Sequence, residues 1–227
     1  GMMEPMNCVA MEKAGKWHLY TANQWQLRMT NMVASALNVE ADNVIHHQQY
    51  AGGGFGRRLE PDAAIPAALA AKFINRPVKL IFTREDDLRF NFNRTLTYQV
   101  LEGGAEFGKI TSLKHDNCAG WSTFRQAPVF MADSKDNKGK LDQFSTNGSD
   151  HWYDIPNHYV RSIRNEINDN SNPPGSVRSV APFWSFFAVE SYMDEMAHLM
   201  KVDPLEFRLR HINPEGINTV SYTHLTL

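Results

Sequence analysis

Residues 52–58 read GGGFGRR, four glycines around one phenylalanine with two arginines behind them. Consecutive glycines let backbone N–H groups turn toward one point and let a ligand approach the main chain closely. Such a nest suits anionic oxygens, phosphate above all. Arg57 and Arg58 would add charge-assisted contacts to the same kind of group. A helix beginning near Asp62 would aim its N-terminal dipole at the same place. A ring held among glycines packs poorly but serves as one wall of a slot for a flat substrate. The competing reading is a glycine-rich strand end with a core phenylalanine, and a lone glycine motif does not separate the two.

Other reactive side chains point to structure rather than chemistry. His46 and His47 are adjacent, so on a strand they face opposite sides and do not readily share a metal. Asp194 and Glu195 read as the solvated face of a helix. Arg84 to Asp87 read as a local ion-pair turn of small energetic weight. Met29, Met32, Met193, Met196 and Met200 fall at helical spacing and are expected in the core. Gln24, taken alone, is a surface residue. No catalytic residue and no metal ligand set is assigned.

These groups must be positioned by a chain of 227 residues that is 42% hydrophobic and 21% charged, enough for one or two domains with a real core. The net charge of −2 gives no sign of a nucleic-acid partner. No apolar run reaches membrane-spanning length. Cys8 and Cys118 stand alone and make neither a metal motif nor a disulfide framework.

Alternation predicts strands over 16–20 and 44–50, and a 3.6-residue period predicts a helix over 25–37. An alanine-rich helix is expected to Ile74, capped by Asp62. VKLIF at 78–82 reads as a strand buried on both faces. Residues 95–118 read as a hairpin. Residues 120–150 read as a long flexible surface loop of the kind that forms lids. Residues 157–167 alternate again. Ser185 is expected to cap the helix over 186–201, and Asp203 with Pro204 to start another. The fold class is α+β, with mixed, mostly antiparallel sheets and packed helices.

Eight motifs then occur in one order: MEPMNCVA at 3–10, TANQW at 21–25, GGGFGRR at 52–58, RPVKLIFTREDDLR at 76–89, YDIPN at 153–157, PPGSVRS at 173–179, ESYMDEMAH at 190–198 and KVDPLEFRLR at 201–210. The series resembles the molybdenum-binding large subunit of the xanthine dehydrogenase and aldehyde oxidase family, in the branch of the isoquinoline 1-oxidoreductase beta subunits. The resemblance implies a molybdopterin cofactor, in this branch the cytosine dinucleotide. It implies hydroxylation of an aldehyde or N-heterocycle with oxygen from water. It implies that Gln24 hydrogen-bonds an oxo ligand of molybdenum. Gly52, Gly53, Gly54, Phe55, Gly56 and Arg57 would line the cofactor loop, and Arg178 a second loop approaching the cofactor. The implied partners are a [2Fe–2S] small subunit, a second molybdenum domain and a small-molecule substrate.

The chain departs from that pattern. The family's GxGE-type segment, which carries the catalytic glutamate, has no match, and neither do the dinucleotide loops of the second molybdenum domain. Val177 and Val180 stand where many relatives carry aromatics. Gly1 reads as a tag scar, and VSYTHLTL at 220–227 as a non-native adaptor tail. The expectation is a partial molybdopterin-binding domain over 2–215, inert and cofactor-poor alone, with self-association through its open face. The alternative is a non-catalytic phosphate- or nucleotide-binding module. The compartment stays open between cytoplasm and periplasm.

Overall fold

The computed structural model describes residues 1–134 and 139–212. The expected tail at 220–227 and the middle of the expected loop lie outside them. The chain divides into two compact units. One comprises Gly1–Asn93 with Gly175–Arg178, and the other Arg94–Pro174 with the chain from Ser179 onward.

In the first unit, β1 (Asn7–Lys13) and β2 (Lys16–Thr21) form an antiparallel pair. The strand β3 (Val44–Gln48) lies parallel to β2, and β4 (Val78–Ile81) antiparallel to β1. The sheet order is β3-β2-β1-β4. Period-2 alternation sends Cys8, Ala10, Trp17 and Leu19 into the core. Two helices join them there, α1 (Gln26–Leu37) through Met29, Val33 and Leu37, and α2 (Ala64–Ile74) through Ala64, Ala67, Ala68 and Ala71. Full burial of each larger side chain contributes about 1.5–3 kcal/mol. The alanines contribute less area but let α2 approach the sheet closely. A short helix, α3 (Arg84–Arg89), is capped by Thr83, whose hydroxyl accepts from the Asp86 N–H at 3.1 Å.

Three expectations are corrected here. Asp62 does not cap α2; Ala63 stands at the cap, and the Asp62 carboxylate is drawn to Arg57 instead. The apolar strand β4 sits at the sheet edge and is only half-buried. Met32 of α1, expected in the core from its helical spacing, is exposed.

The second unit is built on the hairpin of β5 (Thr97–Glu106) and β6 (Lys109–Ala119). A short antiparallel pair follows, β7 (Ala132–Asp133) with β8 (Lys140–Leu141). The strand β9 (Asn157–Arg164) lies parallel to β6, giving the order β5-β6-β9. Helices α4 (Ser122–Gln126), α5 (Gln143–Thr146), α6 (Glu166–Ser171), α7 (Pro182–Leu199) and α8 (Pro204–Arg210) complete it. Ile110, Leu113, Tyr192, Met193, Ala197 and Phe207 form its main core. Asp203 caps α8 as expected, accepting from the N–H groups of Leu205 and Glu206.

The described residues of the stretch 120–150 include short helices and a two-stranded pair. Its short elements are tied together by Asp142, fully buried, whose carboxylate accepts from Thr123 N–H, Phe144 N–H and the Ser145 hydroxyl. Ser185 does not cap α7. The helix starts at Pro182, and Ser185 lies buried inside it, accepting from the Asn117 amide at 3.2 Å. The architecture is α+β, with both antiparallel and parallel pairings.

Candidate functional site

The glycine run folds as an irregular turn after β3. Gly53 and Gly56 sit at φ 98° and 90°, which a side chain adopts only with strain. The other glycines answer to close neighbours. A Cβ on Gly52 would collide with Glu4, one on Gly54 with the Gln24 carboxamide, and one on Gly56 with the Ser176 carbonyl. Much of the glycine requirement is therefore imposed by the protein itself. Phe55 also sits at positive φ, 53°, and its ring is 55% exposed. A bulky residue held there costs about 1–2 kcal/mol, and such strain concentrates at functional sites.

Two other segments fix the loop. Gln24, in the turn between β2 and α1, accepts the Gly56 N–H on Oε1 at 3.1 Å. The backbone of Gln24 donates to the Arg58 carbonyl at 2.9 Å. Because Oε1 must be the acceptor, the Gln24 NH2 is the end left to donate elsewhere. From the 175–178 segment, the Arg178 N–H donates to the Phe55 carbonyl at 2.9 Å. The Arg178 guanidinium stands 6.0 Å from the Phe55 ring centre. Gln24, Gly52–Gly56 and Arg178 thus meet in one place within the first unit.

The two arginines turn inward. Arg58 is fully buried; it donates to the Gly53 carbonyl at 2.8 Å and pairs with Glu4 at 2.7 Å. Arg57 approaches Asp62 to 2.6 Å, off the hydrogen-bond line but within ion-pair range, and Asp87 lies 3.6 Å away. Burial raises the Asp62 carboxyl against the pull of Arg57. Glu4 is the residue that the sequence did not single out. Its carboxylate accepts the Gly52 N–H at 2.7 Å and also takes bonds from Arg58 and Asn7. The Gly52 N–H, with Asn7 and Arg58, holds Glu4 below the usual carboxylate range. No sequence signal joins it to a partner 48 residues away.

In front of the loop lies a cleft of about 300 Å³ lined by Met2, Gly54, Phe55, Asn91, Val177 and Arg178 among others. The N–H groups of Gly53, Gly54 and Phe55 and the Gln24 NH2 have no partner among the described residues. Of these, Gly54 and Phe55 line the cleft, and unpartnered backbone donors there suit a ligand rich in oxygen acceptors, so the residues present fit a molybdopterin with oxo and phosphate oxygens. The carboxylates beside the loop, Glu4 and Asp87, are held by arginines and are not free to act as bases. Among the described residues, no group of three or more His, Cys, Asp or Glu side chains could hold a metal.

Comparison with known proteins agrees with this geometry. The family described as Molybdopterin cofactor-binding domain matches residues 1–212. A protein of Gluconacetobacter polyoxogenes named membrane-bound aldehyde dehydrogenase [pyrroloquinoline-quinone] is 40% identical over 95% of this chain and 28% of its own length. The isoquinoline 1-oxidoreductase subunit beta of Brevundimonas diminuta is 31% identical over 96% of this chain and 28% of its own length. The aldehyde oxidoreductase of Desulfovibrio gigas shares the fold, with a TM-score of 0.76 at 22% identity over 95% of this chain and 23% of that one. The chain thus spans little more than a quarter of the length of these two curated relatives.

Proposed function

We propose that this chain, which belongs to the molybdopterin cofactor-binding domain family, forms one wall of the cofactor pocket of a molybdenum hydroxylase. The observation that carries the reading is the Gln24–Gly56 bond, which commits Gln24 Oε1 as an acceptor and leaves its NH2 to donate, on the loop whose Gly54 and Phe55 line the cleft. When bound, the cofactor supplies two-electron oxidation and activates water-derived oxygen for transfer to an aldehyde or N-heterocycle. The Gln24 NH2 donates to an acceptor oxygen of the cofactor. Gly53, Gly54 and Phe55 offer backbone donors along the same edge. The Phe55 ring and Arg178 flank the entry for a flat substrate. Arg57 and Arg58 act from behind, holding the loop through Asp62, Asp87 and Glu4 rather than reaching outward. That inward commitment argues against a stand-alone phosphate site.

In this reading the base that deprotonates water is supplied by polypeptide beyond residues 1–212, as is the second molybdenum domain. The cofactor is the cytosine dinucleotide form, and a [2Fe–2S] small subunit takes the electrons. Five of the matched relatives carry "subunit" in their names, as such an assembly would require. The 227 residues alone should be inert. Purified from a host that makes the cofactor, they are expected to hold well under one molybdenum per chain by plasma mass spectrometry and to turn over no aldehyde. Stoichiometric molybdenum with turnover would overturn the claim that the site is completed elsewhere.

A further inference from the structure

The cleft in front of the glycine loop is also lined by a polar side chain that the cofactor reading does not use. The segment after α3 supplies it. Phe90 ends α3, its N–H donating to the Asp86 carbonyl at 2.9 Å, and Asn91 follows at once. Both ends of this segment are held. On the α3 side, Asp87 lies 3.6 Å from Arg57 behind the loop. On the other side, the Asn93 carbonyl accepts the Gly175 N–H at 3.0 Å, and Gly175 sits so close to Phe92 that a Cβ on it would collide. Residues 91–93 are therefore clamped between α3 and the segment that carries Arg178, and Asn91 lines the cleft from there.

The other polar side chains of the lining are committed within the protein. Arg57 faces Asp62 and Asp87, and Asp87 also takes Arg84 at 3.3 Å. Ser176 and Arg178 have partners of their own. Asn91 differs: its carboxamide, half-buried, has no partner among the described residues. A carboxamide offers one acceptor oxygen and two N–H donors. Around it the lining includes the apolar side chains of Met2, Phe55 and Val177. Water answers the amide while the cleft is open. Once a ring fills the cleft, an unanswered amide costs free energy, so a substrate that brings its own partner is favoured.

We propose that Asn91 determines specificity in the cleft, selecting a flat ring that carries a hydroxyl or similar hydrogen-bonding group over the same ring without one. The inference rests on the proposed function, because it takes the cleft as the substrate entry of a molybdenum hydroxylase. The ring packs against Phe55, and its polar group donates to Asn91 Oδ1 or accepts from Nδ2.

The test uses the assembled holoenzyme with benzaldehyde and the ortho, meta and para hydroxybenzaldehydes. At least one hydroxybenzaldehyde should exceed benzaldehyde in kcat/KM by about tenfold, the worth of one ordinary hydrogen bond. Asn91→Leu, similar in size but without the amide, should bring that ratio down to about one. A wild-type ratio near one for all three, or a ratio that Asn91→Leu leaves as it was, would overturn the inference. Uniform loss across the four aldehydes leaves the ratio as it was and overturns it too. Should Asn91→Leu fail to assemble, Asn91→Ala carries the same expectation. A holoenzyme that oxidises none of the four overturns the inference, and if it also leaves quinoline untouched, the proposed function falls with it.

Discussion

Arg58, fully buried beneath the glycine loop, keeps its charge against Glu4, whereas His115, fully buried on β6, is held neutral. The two regions solve one problem, a titratable group out of water, in opposite ways. Around the loop, carboxylates and guanidinia are matched: Glu4 with Arg58, Asp62 and Asp87 with Arg57. In the β5-β6-β9 unit, His115, His151 and His158 cluster, and the carboxylates of Asp116 and Asp150 do not offset their burial. Burial pushes His115 and His151 down to about 4, with His158 adding to it, and lowers His158 as well.

The neutral solution is wired through amides. Asn117 donates to the Ser149 hydroxyl at 2.8 Å and accepts from the Gln99 amide at 2.9 Å, which leaves the Gln99 oxygen to accept from His115 Nε2 at 2.7 Å. That fixes the His115 proton on Nε2 and leaves Nδ1 a buried, unpartnered lone pair. The lesson is that the loop depends on its partners' presence, and the histidine cluster on the pH of the solution.

The comparison can be broken most severely at Gly56. Gly56→Ala adds a Cβ onto the Ser176 carbonyl at a positive φ. It should destabilise the first unit by about 3–4 kcal/mol, read as a lowered denaturant midpoint, with amide exchange at 52–58 rising toward the unfolded rate. Glu4→Ala should come next, at about 2–3 kcal/mol. It leaves the Arg58 guanidinium buried without its partner, discounted because Glu4 is itself partly exposed. Here too exchange should rise at Gly52 while the β5-β6-β9 unit is unaffected; equal loosening of both units would contradict the account.

Acid should do the reverse. In the unfolded chain these imidazoles take a proton near 6.5, and in the folded one His115 and His151 do so only near 4. Between those values the unfolded state binds more protons. Stability is therefore full above pH 6.5 and is lost as pH falls toward 4, by about 3 kcal/mol for each of the two. Denaturant midpoints at pH 7.5 and 4.5, with exchange resolved on β6, check this, and His115→Gln should flatten the slope. The smallest effect is expected at Asp203→Ala, about 1 kcal/mol from the lost α8 cap, visible as fraying of residues 204–206 by amide exchange.

Much of this was legible in the sequence where a local pattern decides the outcome. The period of 25–37, the Asp203–Pro204 start and the alternation of 16–20 each reflect an element's own preferences. The failures share one cause, a distant partner. Asp62 looks like a cap until Arg57 claims its carboxylate. Ser185 looks like a cap until Asn117 buries it. β4 reads as central because it is apolar, yet only its pairing with β1 alone makes it an edge. At the site, the motif series singled out Gln24, the glycines and Arg178. The reason for the glycines was half hidden, because collisions with Glu4, Gln24 and Ser176 are set by folding and not by spacing.

The central claim is that the loop at 52–56, with Gln24, faces molybdopterin. The most direct measurement is amide hydrogen exchange at Gly53, Gly54 and Phe55 in the assembled holoenzyme, compared with cofactor loaded and stripped. The account predicts slowed exchange at those three amides in the loaded form, with the slowing reduced by Gln24→Ala. Identical exchange in the two forms, with protection appearing elsewhere, would contradict it.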